Sequence, residues 1–334
     1  MSKTAFVTGG AGFLGRRFVR KLVEQGVTVR CLVRNLRDQD GIFASLSDKQ
    51  RRLVHIVPGD VADRALLDTE LPEVDIVYHL AAALGGSTST MFLNTVIPTR
   101  SLLEAAALAE VKRFVLVSSL GVYGTGKLSY RGVLDESTPV DPCPELRDAY
   151  TFSKIRQESI AWEAREKWGL PLVVVRPGVI YGPGRSLLTS RVGLSIGPLL
   201  VRMGGGQQLP YTHVENCAEA IVMAGLTPNI EGETFNIVDD HLPCGKQIVK
   251  FLKHRGKRVR SVWVPRPMIG PLSALYEWYS NWSEGQLPSV ITRYKSRAIW
   301  KSVRYINTKA KQKLNWVPRI SMEEGLNQTV STEL

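Results

Sequence analysis

A tyrosine and a lysine one helical turn apart are the first candidates for chemistry in this sequence. Tyr150 and Lys154 bound the segment YTFSK, and residues four apart lie on the same face of a helix. Free tyrosine has a pKa of about 10 and is a weak base at neutral pH. Because a neighbouring ammonium favours the tyrosinate, the pair predicts a group that exchanges a proton with an alcohol or a ketone during hydride transfer.

The spacing of this pair is not specific, so its context decides. It occurs in three places: Tyr123 with Lys127, Tyr150 with Lys154, and Tyr305 with Lys309. The first pair lies in a glycine-broken loop, and the third lies far outside the predicted nucleotide domain. The second pair opens a predicted helix after a strand that ends at Ser118 and Ser119. A serine at that sheet edge can hold a substrate oxygen by hydrogen bonding.

A glycine-rich loop joins the first predicted strand to the first predicted helix. Its sequence, TGGAGFLG over Thr8–Gly15, provides a tight turn and a close approach to phosphate. The following helix offers free N–H groups and a positive dipole end to a pyrophosphate. This context predicts a dinucleotide site, in which Lys154 can also hold the nicotinamide ribose. The predicted loop contacts are Gly9, Gly12, Phe13, Leu14 and Gly15.

The end of the second predicted strand bears on the choice of cofactor. An acidic residue there would bind a ribose 2′-hydroxyl, whereas an arginine accommodates a 2′-phosphate. The segment Val29–Asn35 contains no acid, and Arg34 follows the strand, with Arg37 nearby. We therefore expect NADP(H), while NAD(H) stays possible if Arg34 is only a surface charge.

Asp60 and Val61 follow the third predicted strand and are further cofactor candidates. The carboxylate of Asp60 could accept a hydrogen bond from the adenine amino group. Alternatively, Asp60 is the N-cap of a helix over 61–68, a position that aspartate favours. The two roles are compatible.

Apolar segments alternate between strand-like and helix-like patterns along the first half of the chain. The predicted strands are Lys3–Thr8, Val27–Val33, Leu53–Val57, Val74–His79, Arg113–Ser118, Leu172–Arg176 and Thr234–Val238. The predicted helices between them include Gly12–Gln25, Phe92–Glu110 with an interruption at Pro98, and Ala149–Trp168. Continuous Val/Ile/Leu runs are typical of parallel strands buried on both faces. The fold class is therefore α/β, with a Rossmann-type doubly wound parallel sheet.

The alternation of strand-like and helix-like segments ends after Arg176, where Gly and Pro become frequent. We predict a dinucleotide-binding domain of residues 1–180 plus 233–239. A smaller, discontinuous C-terminal substrate domain would consist of residues 181–232 plus 240–334. The substrate itself would be a small molecule, held by residues from 83–91, 181–201 and the tail.

Composition excludes several classes of protein. Hydrophobic residues make up 44% of the chain, enough for a globular core, and no apolar run is long enough to span a bilayer. The N-terminus enters a strand pattern at once and leaves no room for a signal peptide. The four cysteines suit neither a disulfide framework nor a zinc site, so no metal is expected. These features predict a cytoplasmic protein.

Positive charge is concentrated near the C-terminus. Cys244–Arg319 contains seventeen Lys/Arg and two acids, so it contributes +15 to a net charge of +12. Aromatic residues and basic runs in Val262–Leu287 suit peripheral membrane contact, although Glu277, Pro267 and Pro271 argue against a clean amphipathic helix. A lid packed over the substrate pocket is the favoured alternative. No helix-turn-helix or stacking motif is present, and nucleic acid is not expected.

Taken together, these motifs resemble the extended short-chain dehydrogenase/reductase family. The matching segments, in the family order, are TGGAGFLG, GDV (Gly59–Val61), HLAA (His79–Ala82), Asn94, SSLGVYG (Ser118–Gly124), YTFSK, RPGVIYGPG (Arg176–Gly184) and LNWVPRISMEEGL (Leu314–Leu326). The resemblance covers nearly the whole chain. It implies a nicotinamide cofactor and a homodimer formed through the helices at 94–110 and 149–168.

The resemblance also assigns roles to individual residues. It makes Ser119 the catalytic serine in preference to Ser118, and Asn94 a structural or proton-relay asparagine. His79 is expected to pack rather than to act as a base. The further residues implied at the nicotinamide end of the cofactor site are Ala81, Ala82 and Pro177.

Two branches of that family compete for this sequence. One acts on nucleotide sugars by epimerisation or dehydration, and the other interconverts secondary alcohols and ketones of lipid-like, steroid-like or phenolic compounds. Val33 stands where epimerases usually carry Asp, and Leu120-Gly121 stands where sugar dehydratases carry an acidic pair. These features favour the second branch, which includes 3β-hydroxysteroid dehydrogenases and dihydroflavonol reductases. A non-catalytic NADP-binding sensor is a remote alternative, and the intact Ser/Tyr/Lys set counts against it.

Overall fold

A computed structural model describes residues 3–283, 286 and 290–331. Its strands are β1 (Thr4–Thr8), β2 (Thr28–Val33), β3 (Val54–Pro58), β4 (Ile76–His79), β5 (Arg113–Val117), β6 (Val133–Leu134), β7 (Leu172–Pro177), β8 (Val179–Tyr181), β9 (Gly193–Ile196), β10 (Leu199–Met203), β11 (Tyr211–His213), β12 (Thr234–Ile237), β13 (Arg260–Val264) and β14 (Arg304–Tyr305). Its α-helices are α1 (Phe13–Glu24), α2 (Gln39–Phe43), α3 (Asp48–Arg51), α4 (Arg64–Glu70), α5 (Thr88–Leu108), α6 (Ala149–Trp168), α7 (Val214–Leu226), α8 (Gly245–His254), α9 (Arg266–Trp282), α10 (Arg293–Trp300), α11 (Thr308–Leu314) and α12 (Met322–Ser331).

Seven parallel strands form the central sheet, in the order β12-β7-β5-β4-β1-β2-β3. Every residue of β4 and β5 is buried, as expected for strands covered on both faces. The order reverses between β1 and β4, so a crevice opens at the carboxyl ends of these strands. The predicted α/β class with a Rossmann-type sheet is confirmed.

Helices cover both faces of the sheet. On one face α1 and α7 pack together, and their buried side chains share a core with β1 and β2. On the other face α5 and α6 form the largest helix–helix contact of the described chain.

Helix α7 lies within residues 181–232, which the sequence assigned to the substrate part. The structure instead places α7 on the nucleotide-binding side, because its Cys217, Ala220 and Ile221 complete the core over β1.

A smaller body lies beyond the carboxyl edge of the sheet. The strands β13, β10 and β9 form a three-stranded sheet, and α8 and α12 share a separate core with residues of 181–211. Helices α9 and α10 pack on each other, where the hydroxyls of Ser273 and Ser296 are 2.6 Å apart. Residues of β9 and α10 in this body line the cleft described below.

Two helices depart from the predictions because of proline. Helix α5 begins at Thr88, after the N-cap Ser87, and continues through Pro98 without the predicted interruption. Helix α9 is continuous from Arg266 to Trp282, although Pro267 and Pro271 argued against a clean amphipathic helix in this segment. Pro267 stands in the first turn of α9, where a missing N–H costs nothing.

None of the helices described is long and apolar enough to cross a bilayer. The last part of the aromatic segment, including Leu287, lies outside the described residues.

Candidate active site

A cleft of about 1240 Å³ follows the carboxyl edge of the sheet. The glycine loop and the end of β2 line one end of it, and α10 lines the other. The cleft therefore joins a site for a dinucleotide to a site for a second molecule. Of the predicted cofactor residues, these also line it: Phe13, Leu14, Val61, Ala81, Ala82 and Pro177.

Tyr150 lies at the start of α6, where the helix meets the cleft. Asp148 caps this helix by accepting a 3.0 Å hydrogen bond from the backbone N–H of Thr151, which fixes the first turn. Ser119 lines the cleft beside Tyr150, and its hydroxyl oxygen accepts a 3.1 Å hydrogen bond from the backbone N–H of Gly121. Burial raises the pKa of Tyr150; the hydroxyl of Ser119 and the charge of Arg185 oppose this, while Asp148 adds to it. The phenol is therefore protonated at neutral pH.

Lys154 lies one turn further along α6 and is almost completely buried. Its Nζ donates hydrogen bonds to the backbone oxygen of Val117, at 2.7 Å, and to Oε1 of Gln157, at 2.8 Å. Burial lowers the pKa of Lys154 to about 7, although the carboxylate of Glu158 opposes the shift. The predicted Tyr150, Lys154 and Ser119 thus meet at one end of the cleft.

A buried polar network holds the lysine from behind. Nε2 of Gln157 donates to Oγ1 of Thr99 at 2.8 Å, and Thr99 lies 2.7 Å from Nε2 of His79. The other ring nitrogen of His79 bonds the hydroxyl of Thr8 at 2.7 Å. Burial, with the charge of Lys154, lowers the pKa of His79 to about 3. His79 is a neutral member of this network, in agreement with the packing role expected from the sequence.

Gln157 was missed by the reasoning from sequence. Its only signal was its place three residues after Lys154, on the same face of the helix. The amide oxygen faces Lys154, because an ammonium can only donate, so the amide nitrogen faces Thr99. Gln157 therefore links the lysine to the end of β1 through a chain of hydrogen bonds.

Ser118 and Tyr123 belong to a different network. The hydroxyl of Ser118 donates to Glu158 at 2.7 Å, and Glu158 pairs with Arg176 in the core. Tyr123 donates to Oδ1 of Asn236 at 2.7 Å, under the guanidinium of Arg176. Ser118 and Ser119 both line the cleft, but the hydroxyl of Ser118 already donates to Glu158, which favours Ser119 as the serine that binds a substrate oxygen.

Asn94 lines the cleft but makes no hydrogen bond to Lys154 within the described structure. Its Nδ2 donates to the backbone oxygen of Thr90 at 2.8 Å, and its side chain is exposed. The side-chain oxygen that accepts from the ammonium of Lys154 is Oε1 of Gln157 instead. The relay role of Asn94 stays a prediction.

The glycine loop fits a pyrophosphate. Gly9 has a φ of +76°, and a Cβ on it would lie 2.8 Å from the backbone nitrogen of Ala81. A Cβ on Gly15 would lie 2.0 Å from the backbone oxygen of Gly9. Gly12 is the N-cap of α1 and offers no side-chain acceptor, so the first N–H groups of the helix are free for an anion.

The opposite end of the dinucleotide region carries both signs of charge. Arg34 and Asp38 line the cleft beyond β2, and the sequence reasoning had not considered Asp38. Asp60 also lines it, and its Oδ1 accepts a hydrogen bond from the backbone N–H of Ala62 at 2.9 Å. The alternative role of Asp60, as N-cap of a helix over 61–68, was wrong: the helix begins at Arg64, and Asp63 caps it.

The substrate end has an apolar wall and a basic side chain. The wall consists of side chains from β9 and α10 with the segment before α10: Leu194, Val290, Ile291, Ile299 and Trp300. Nε1 of Trp300 donates to the backbone oxygen of Ser190 at 2.9 Å and so fixes this wall. Arg191 also lines the cleft and donates to the hydroxyl of Tyr305 at 3.2 Å, whereas the guanidinium of Arg185 lies over the ring of Phe13, 5.0 Å from its centre.

Comparison with curated proteins gives relatives of several activities. Cinnamoyl-CoA reductase 1 of Petunia hybrida is 32% identical over 68% of this chain and 70% of that protein. The 3beta-hydroxysteroid-dehydrogenase/decarboxylase isoform 1 of Arabidopsis thaliana is 25% identical over 98% of the chain and 78% of that protein. A UDP-N-acetyl-alpha-D-glucosaminuronate decarboxylase of Bacillus cytotoxicus is 26% identical over 99% of the chain and 97% of that protein.

Solved structures and a family model agree with the fold. UDP-glucuronic acid 4-epimerase of Bacillus cereus, in complex with NAD, superposes with a TM-score of 0.72 at 21% identity, covering 98% of each chain. The model of the NAD dependent epimerase/dehydratase family matches residues 5–237. With the glycine loop and the Tyr/Lys/Ser group already in place, the chain belongs to the NAD dependent epimerase/dehydratase family and is a nicotinamide-dependent enzyme of the extended short-chain dehydrogenase/reductase type.

Proposed function

We propose that this enzyme interconverts a secondary alcohol and a ketone on a lipid-like, steroid-like or phenolic substrate. The observation that carries the proposal is that Tyr150 and Ser119 line the same cleft as an apolar wall contributed by β9 and α10. The bound nicotinamide cofactor supplies or accepts the hydride. The side chains of this protein have to hold the substrate oxygen and move one proton.

Tyr150 acts as the acid and base. In the direction of reduction, its protonated phenol gives a proton to the substrate oxygen, while the hydroxyl of Ser119 holds that oxygen by hydrogen bonding. In the direction of oxidation, the phenol must first ionise. The ammonium of Lys154 favours that ionisation and can also bind the nicotinamide ribose.

The shape and polarity of the substrate end support an apolar ring or chain. Leu194, Ile299 and Trp300 offer only hydrocarbon and an indole whose N–H is already bonded. A compound with many hydroxyl groups would leave them unpaired against this wall, which costs binding energy. Arg191, which also lines the cleft, can bind a negatively charged group of the substrate.

NADP(H) is the proposed cofactor, because Arg34 can pair with a 2′-phosphate at the end of β2. Asp38 lies at the same end and would repel that phosphate, so the choice can be tested at Arg34 itself. Arg34→Gln should raise the KM for NADPH about tenfold, as expected for one lost charge-assisted contact, and leave the KM for NADH unchanged. Arg37→Gln is the matched control. Equal or better turnover of the unchanged enzyme with NADH would remove the role of Arg34.

Nucleotide-sugar chemistry is the second candidate. The UDP-N-acetyl-alpha-D-glucosaminuronate decarboxylase of Bacillus cytotoxicus aligns along the whole chain, and Arg185 and Arg191 could bind a diphosphate. The same Tyr150 could serve that reaction.

A turnover screen distinguishes the two candidates. The purified enzyme would be incubated with NADPH or NADH and a panel of steroid-like ketones, phenolic ketones and UDP-sugars. Consumption of reduced cofactor with the apolar ketones supports the proposal. Epimerisation of a UDP-sugar without net consumption of cofactor would establish the second candidate instead.

A further inference from the structure

The outward face of α9 is apolar along its whole length. The inward face packs through Ile269, Ser273 and Ser280, which are buried. The large side chains on the outward face are each at least 40% exposed, and they are Met268, Leu272, Leu275, Trp278, Tyr279 and Trp282. At 1.5 Å per residue, this apolar face of α9 is about 21 Å long. A contiguous exposed surface of this kind marks a site of contact.

No charge interrupts the apolar face. Between Arg266 and Trp282 the chain has one charged residue, Glu277, which is half-buried. Its Oε2 accepts a 3.1 Å hydrogen bond from the backbone N–H of Arg293, the first residue of α10. The carboxylate is thus directed toward the neighbouring helix.

Three cations cluster at the N-terminal end of α9. Arg266 begins the helix, and Arg297 and Lys301 approach it from α10 and the residue after it. Burial first, and then the charges of Arg297 and Arg266, lower the pKa of Lys301. Within the described part of the chain none of the three has an acidic partner; Arg266 instead lies 3.9 Å from the ring centre of Tyr130. Among the described residues the cluster is paired with no carboxylate; Lys301 donates to the backbone oxygen of Gly126 at 2.6 Å.

The other side of the same helix pair belongs to the substrate site. Helix α10 lies between α9 and the cleft, and its Ile299 and Trp300 form part of the apolar wall. One hairpin therefore covers the substrate end with its inner side and presents the apolar face of α9 on its outer side.

We propose that the apolar face of α9, with Arg266, Arg297 and Lys301, is a docking surface for an anionic lipid bilayer. Large side chains of Trp and Leu enter the interface between headgroups and acyl chains, while the cations bind the anionic headgroups. The positive charge of the cluster complements anionic headgroups, which favours a bilayer as the occupant of this face. The helix lies on the surface and does not span the membrane.

Flotation with lipid vesicles tests the proposal directly. The full-length enzyme would be mixed with vesicles of phosphatidylcholine, with or without phosphatidylglycerol, and centrifuged through a density gradient. We expect flotation with the anionic vesicles, weakened by salt. Leu275→Ser/Trp278→Ser should reduce the partition at least about tenfold, since two large apolar side chains no longer leave water. Arg297→Gln should reduce it about fivefold, and only with anionic vesicles.

The matched control is Leu146→Ser/Val317→Ser, which removes two exposed apolar side chains elsewhere on the surface. Unchanged NADPH binding, followed by cofactor fluorescence, verifies that each variant is folded. Absence of flotation with either vesicle, or equal flotation of the test and control variants, overturns the proposal. A wild-type oligomer that dissociates on Leu275→Ser/Trp278→Ser, without flotation, assigns the face to a second copy and also overturns it.

Discussion

At the scale of single residues, burial moves the pKa values of the two ionisable groups of the site in opposite directions. It disfavours the charged form of each, so the pKa of Tyr150 rises and that of Lys154 falls to about 7. In the cofactor-free enzyme the phenol is therefore a proton donor. It becomes an acceptor only when positive charge is near, which links proton transfer to the ammonium of Lys154.

Removal of the phenolic hydroxyl tests this assignment. Tyr150→Phe should lower kcat by about 10²–10⁴-fold, the usual contribution of a positioned acid or base. Cofactor affinity should change little, because the ring and the lysine remain. Steady-state kinetics and fluorescence titration with NADPH measure the two effects. Tyr130→Phe, at an exposed tyrosine, is the control; full activity of Tyr150→Phe would contradict the mechanism.

Gln157 should act on the proton transfer through Lys154. With Gln157→Leu the ammonium keeps only the oxygen of Val117, so the charged form is less favoured and the pKa of Lys154 falls below about 7. Less positive charge near Tyr150 at neutral pH disfavours the tyrosinate. The pH at which alcohol oxidation is half-maximal should therefore rise by about one unit, equivalent to one lost hydrogen bond to a charge.

The pH profile of kcat measures this shift. Thr99→Val is the comparison, because it cuts the same network one step further from the lysine and should shift the profile less. If Gln157→Leu lowers thermal stability but leaves the profile unchanged, the glutamine only packs.

Tyr150 and Lys154 could be predicted from their spacing and from the strand before them. Gln157 could not, because a glutamine on a helix face gains meaning only when Thr99 and His79 are brought beside it by the sheet.

At the scale of elements, the glycine loop is held by contacts that leave no room for side chains. Gly15→Ala should lower the free energy of unfolding by about 1–3 kcal/mol, a typical cost of overpacking, because the added Cβ meets the backbone of Gly9. The shifted loop should also weaken NADPH binding. Thermal denaturation and fluorescence titration measure these effects. Gly270→Ala, in α9 with open space around it, should leave binding unchanged; normal binding by Gly15→Ala would contradict the role of the loop.

The strands could be predicted more reliably than the helices that contain proline. Apolar runs such as Arg113–Val117 are long enough and apolar enough to specify a buried strand without help from the rest of the fold. Pro98 predicted an interruption of α5 and Pro271 argued against a clean amphipathic helix at α9, but tertiary packing keeps both helices continuous. Local sequence could not show this, because the compensating contacts of α5 come from α6 and those of α9 come from α10.

At the scale of the whole molecule, the surface of α5 has apolar residues that the monomer leaves exposed. Leu93 and Ile97 lie on one face of this helix, and Leu108 continues that face at its end. Beside them α6 packs along α5, so the two helices form a broad surface. We propose that two copies pair through this surface. It lies on helices other than α9, so pairing leaves the apolar face of α9 available.

A charge placed in that surface should separate the copies. A stable interface buries at least about 1,000 Å², and a lysine at its centre cannot be paired there. Ile97→Lys is therefore expected to sediment as a monomer in analytical ultracentrifugation, while the unchanged enzyme sediments as a dimer. Val317→Lys places the same charge on an exposed valine elsewhere and should remain dimeric. Helix α5 also supplies Thr99 to the network behind Lys154. We expect dissociation of the dimer to lower the thermal stability of the enzyme and to have a smaller effect on the pH profile of kcat. An unchanged enzyme that is monomeric at micromolar concentration would contradict the proposed pairing.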